Sequence, residues 1–128
     1  MATMPNDLDL MQGTWKVASL EMDGMKLPSI MFMMAKVVVN GSTFSSTGLG
    51  SGYEGTLQVD ETTSPKSFSI QFTKGSEEGN TNFGIYEFSG EPDAIRWKLC
   101  LAMKGGPAPT EFTTSAGSGR AMEVLKRG

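Results

Sequence analysis

Along most of its length the chain repeats one pattern: a short run with apolar residues at every second position, closed by a glycine or an Asn/Asp-Gly pair. Ser67-Phe68-Ser69-Ile70-Gln71-Phe72 is the clearest case, with apolar side chains on one face and polar ones on the other. Alternation of period two sets one face of a strand on a core and the other in solvent. Glycine turns return consecutive strands antiparallel, and closing the sheet on itself satisfies every edge. The pattern predicts an all-β fold: a single antiparallel up-and-down β-barrel of about eight strands with one or two short helices.

The elements follow in order. Asn6 or Asp7 caps one helical turn through Leu8, Leu10 and Met11, which Gly13 ends. Trp15–Met22 is a first strand, and Asp23-Gly24 a two-residue turn. Pro28 is placed to start a short helix over Ser29–Met34. Strands are then expected at Lys36–Asn40, Thr43–Thr47, Tyr53–Val59, Ser67–Phe72, Asn82–Phe88, Ile95–Met103 and Ala121–Lys126, with the best hairpin turn at Asn40-Gly41. Polar loops cover Lys74–Asn80 and Lys104–Arg120. Residues 1–128 read as one domain, long enough to bury a core without disulfides.

Composition removes several functions. The chain has no histidine, hence neither the commonest general base nor the commonest metal ligand. A net charge of −3 and the lack of a basic stripe speak against nucleic acid. Cys100 stands alone, so no internal disulfide forms. No stretch reaches the length of a membrane span, and Met1 to Leu10 lacks the basic and apolar regions of a signal peptide. A cytoplasmic location is expected. Glu54, Glu77 and Glu78 do not have the spacing of an oxygen-ligand loop, so no metal is expected. The Gly-X-Gly fragments at 48–50, 50–52 and 117–119 join no strand to a helix; they suit bends, and no cofactor is expected.

Several pieces occur together in order: Leu10-Met11-Gln12-Gly13-Thr14-Trp15, Gly84-Ile85-Tyr86-Glu87, Leu99-Cys100, Pro109-Thr110-Glu111-Phe112 and Val124-Leu125-Lys126-Arg127. In this the chain resembles a family of small, uncharacterised, lipocalin-like domains abundant in planctomycete bacteria. The resemblance spans nearly the whole chain and implies a lipocalin-like barrel without implying an activity. Family members tend to carry a basic residue where this chain has Ala108. In a lipocalin-like barrel Trp15 would close one end, with Arg127 stacked on the indole as a cation–π pair.

The remaining candidates each have two uses. Met31, Phe32 and Met34 could fill an irregular core or form an adaptable lid over the barrel mouth. Glu111 could pair with Arg96 or Lys98 to pin the long loop, or help line a cavity. Tyr53 and Tyr86 each bring a hydroxyl that needs a partner if buried, and Ile85 competes with Tyr86 for the inward face. Cys100 reads as a packing residue.

Three functions compete. In the first, the barrel holds an apolar or amphipathic small molecule against Leu57, Phe68, Ile70, Phe72, Trp97 and Leu99, with Met31 and Met34 above and Tyr53 as polar contact. In the second, a histidine-independent hydrolase cleaves a small ester or lactone with a carboxylate, a tyrosine or a divalent ion. In the third, a filled barrel acts only through its surface, including self-association as a homodimer. Barrels of eight strands can be packed solid or hollow, so sequence leaves the choice open.

Overall fold

A computed structural model describes residues 6–48, 52–91 and 93–127; the glycine fragments at 48–52 and the segment Met1 to Pro5 lie wholly or partly outside these. The chain is a closed antiparallel barrel. Helix α1 (Asp7–Met11) precedes nine strands: β1 (Gly13–Met22), β2 (Met25–Lys26), β3 (Lys36–Asn40), β4 (Thr43–Thr47), β5 (Tyr53–Asp60), β6 (Ser67–Lys74), β7 (Thr81–Ser89), β8 (Arg96–Ala102) and β9 (Arg120–Arg127). Eight of them form the wall in the order β1-β3-β4-β5-β6-β7-β8-β9, and β9 pairs back on β1. The ninth, β2, is a short flap hairpinned onto the far end of β1.

Local chemistry sets these boundaries. Asp23 and Gly24, both at positive φ (49° and 81°), make the two-residue loop between Met22 and Met25. Gly41, at φ 62°, turns β3 into β4, so the loop is Gly41-Ser42, one residue later than Asn40-Gly41. The helix expected over Ser29–Met34 is shorter, a 3₁₀ turn at Ser29–Met31 with Pro28 in the capping position before it. Gly13 does not end α1. It is the first residue of β1, while Gln12 caps the helix.

Gln12 also locks the lower end. Its amide donates to the carbonyls of Leu8 (3.1 Å) and Gly41 (2.8 Å), and its Oε1 accepts from the Gly41 N–H (2.7 Å). One side chain thus ties α1 to the β3–β4 turn. Within α1, Asn6 and Asp9 form a reciprocal capping box.

Inward-facing residues divide the interior. The lower half, next to α1, carries the bulkiest side chains: Trp15, Trp97, Tyr86, Phe88 and Phe68 meet edge-on or tilted, with centroids 5.3–6.3 Å apart. Trp15 is fully buried, its Nε1–H donates to the Met11 carbonyl (2.9 Å), and the Arg127 guanidinium lies 3.9 Å above its ring. Arg127 also donates to the carbonyls of Gln12 and Leu10, so it holds both the plug and the helix behind it. Beside this plug the buried Asp7 accepts from Tyr86 Oη (2.7 Å) and Lys66 Nζ (2.8 Å). Burial alone would raise the Asp7 pKa, but the two hydrogen bonds and the lysine charge outweigh it and hold it below its ordinary value.

The long loop before β9 packs on the outside of β7 and β8. Cys100 and Ile85 are buried there, the Cys100 thiol reaching the Thr113 carbonyl at 3.6 Å. Burial pushes that thiol up in pKa. Glu111 is exposed and forms no ion pair among the described residues. Instead Lys98 lies over the Phe112 ring (5.3 Å) and Thr114 donates to Glu21 (2.6 Å). At the upper end the buried Glu77 carboxylate accepts from Asn82 (3.0 Å) and the Lys104 backbone.

Candidate functional site

The upper half of the barrel is hollow. A cavity of about 460 Å³ opens between β1, β4, β5, β6, β8 and β9. Roughly 300–1,000 Å³ is the size of sites that enclose small organic ligands. Its walls are Leu20, Phe44, Phe72, Leu99 and Leu101, with Met22, Leu27, Met31 and Met103 around the mouth. Small side chains, Ser46 on β4 and Ala121 on β9, line the wall at this level. The 3₁₀ turn and β2 cover the side where β1 no longer pairs with β3, since that ladder stops at Lys16 and Lys36.

The expected ligand contacts fall into three groups. Met31, Tyr53, Phe72 and Leu99 line the cavity. Leu57, Phe68, Ile70 and Trp97 are buried core residues that do not border it. Met34 is 74% exposed and away from the cavity wall. Phe32 packs into the core while Met33 is exposed, because the segment turns after Met31 rather than continuing as a helix. Tyr53 accepts a hydrogen bond from Ser76 Oγ (3.1 Å) and meets the Phe72 ring edge-on at 6.0 Å.

Among the described residues the cavity holds one charged side chain, Glu123. It lies on β9 in phase with Ala121 and Leu125, and the residues opposite it are Leu20 on β1 and Leu99 on β8. Both neighbours are apolar. Burial, with no hydrogen bond or counter-charge to offset it, raises the Glu123 carboxyl from 4.5 to about 7. Glu123 retains some accessible surface because it borders the cavity, and that surface faces an apolar hollow. Among the described residues, the other polar side chains on the wall are Ser46 and Tyr53.

Glu123 went unmarked in the sequence because Arg120, Lys126 and Arg127 around it make the strand read as charged surface. A carboxylate in phase with Ala121 and Leu125 is the one sign of it. Among the described residues, no group of three or more His, Cys, Asp or Glu side chains gathers as a metal site. No described helix is long and apolar enough to cross a membrane. A second, more open depression of about 710 Å³ lies outside the barrel, between Gln58, Ser69, Phe83 and the loop at Ala108–Thr110.

Comparison with known proteins returned no matching family model, no matching curated protein and no matching solved structure.

Proposed function

We propose that this is a lipocalin-like, cytoplasmic binding protein that holds an apolar or amphipathic small molecule in the upper half of its barrel. The observation that carries the reading is the 460 Å³ cavity, walled by leucine and phenylalanine above a tightly packed floor. Burying a ligand there removes apolar surface from water on both partners at about 25 cal/mol per Å². Met31 and Met103 at the mouth can re-pack around different shapes, which suits a site that admits more than one ligand.

A thermal-shift screen with neutral aromatic and alkyl ligands tests it. A ligand present at a hundredfold excess over its Kd stabilises the folded state by about 2.7 kcal/mol, several degrees in Tm for a domain of this size. A screen in which no ligand raises Tm would count against the reading. Self-association, the use of the surface in the third reading, would draw on the exposed Met25, Ile30, Met33 and Met34. Sedimentation of the protein at increasing concentration reports it directly.

A further inference from the structure

The polar inventory of the cavity is asymmetric. Among the described residues its wall carries one carboxylate, Glu123, and no lysine or arginine. An anionic headgroup inside would find no counter-charge, and it would meet an ionised Glu123 as a like charge. A neutral apolar ligand would leave the carboxylate facing hydrocarbon. Charges and polar groups enclosed without partners are costly, and a matched opposite charge with hydrogen bonds offsets that cost. Neither strand flanking Glu123 supplies such a partner, since Leu20 and Leu99 stand opposite it; among the described residues Tyr53 is the one other titratable group on the wall. A ligand carrying a positive hydrogen-bond donor would supply the missing partner. Ser46, on β4 across the hollow from β9, offers a hydroxyl that can accept a second N–H.

We propose that the barrel selects amphipathic amines: a protonated amine donates to the Glu123 carboxylate while the apolar body packs on Leu20, Phe44, Phe72, Leu99 and Leu101. The inference rests on the binding reading above and narrows its ligand class. It also sets the cavity against fatty acids and other apolar carboxylates. Above neutral pH the Glu123 carboxyl and an aliphatic amine are both largely ionised before they meet.

Isothermal titration with three probes of one shape tests this: adamantylamine, adamantanol and adamantane carboxylate, at about pH 8, where an aliphatic amine of pKa near 10.4 remains protonated. The amine should bind at least about tenfold more tightly than the alcohol, the scale of a charge-assisted hydrogen bond. The carboxylate should be the weakest of the three. In Glu123→Gln the amine should lose its advantage and bind no more tightly than the alcohol measured in the same variant. Equal affinities of amine and alcohol in the unaltered protein, or an amine preference that survives Glu123→Gln, would overturn the amine assignment and leave the cavity reading standing. If even the alcohol fails to bind, the container and its selectivity fall together. The comparison among probes needs only the unaltered protein, so it does not depend on how well the variant folds.

Discussion

Replacing Glu123 by glutamine should remove most of the pH dependence of stability between about pH 5 and pH 8. In the unfolded chain this carboxyl titrates at its ordinary 4.5, whereas in the folded barrel burial moves it to about 7. Between those values the folded protein holds a proton that the unfolded chain has released. Stability must then fall as pH rises, by up to about 1.4 kcal/mol per pH unit, and level off above the folded value. The whole effect is about 3 kcal/mol, somewhat less where water enters the cavity. Few other groups titrate in this window. The chain has no histidine, the Cys100 thiol is pushed upward, and the lowered Asp7 acts only at acid pH. Urea unfolding at a series of pH values, followed by tryptophan fluorescence, gives the profile. With an m of about 2 kcal/mol/M the midpoint should drop by about 1.5 M across the window in the parent, and stay nearly level in Glu123→Gln. A parent profile that is flat or rising would refute the placement of this carboxylate in an unpartnered apolar setting. So would a glutamine variant with the parent's slope.

Trp15→Ala should cost about 3–5 kcal/mol by emptying the closed end of the barrel, and a variant that melts with the parent would disprove its role as the plug. Asp7→Asn should cost about 1–3 kcal/mol at neutral pH, because Tyr86 and Lys66 lose a charged acceptor. Since the Asp7 pKa is lowered in the fold, its contribution is present above its unfolded value of 3.8 and is lost as pH falls through the folded value. Acid titration of stability should therefore be shallower in the asparagine variant. Gly84→Ala should destabilise by about 1–3 kcal/mol, as its new Cβ would stand 2.5 Å from the Phe68 ring and 2.7 Å from the Cys100 carbonyl; chemical denaturation of the purified variant measures it.

Where strand identity rests on local pattern, sequence and structure agree closely. Lys36–Asn40 and Thr43–Thr47 begin and end where alternation places them, although the turn between them is Gly41-Ser42 rather than Asn40-Gly41. Local pattern is weaker where burial comes from both sides. The loop over β7 and β8 buries Ile85 and Cys100 outside the barrel while Tyr86 and Leu99 are buried inside it, so alternation loses its contrast. Strand β2 is two residues long and shows no period. The closing pairing of β1 with β9 joins residues more than 90 positions apart, and no neighbour-to-neighbour rule contains it.

The candidate site was legible in part for the same reason. Tyr53, Phe72 and Leu99 could be placed on inward faces from phase alone, but height along the barrel axis depends on register. Register separates the lining residues from Leu57, Phe68, Ile70 and Trp97, which lie in the packed interior. Met31 reaches the mouth whereas Met34 does not, because the 3₁₀ turn ends sooner than the apolar run suggests. Ser46, Ala121 and Glu123 were hard to see as a set: their common position on the cavity wall exists only once β4 and β9 are wrapped into one tube.

The most direct test of a ligand-sized hollow in the upper barrel is an NMR measurement of intermolecular NOEs between adamantylamine and isotope-labelled methyl groups. Contacts from the bound probe to Leu20, Leu99 and Leu101, with none to the core methyls of Leu57 and Leu125, are the result expected from the cavity described. Contacts confined to the outer depression near Ile85 and Val59, or upper-barrel methyls whose mutual NOEs show the space closed by their own side chains, would contradict it.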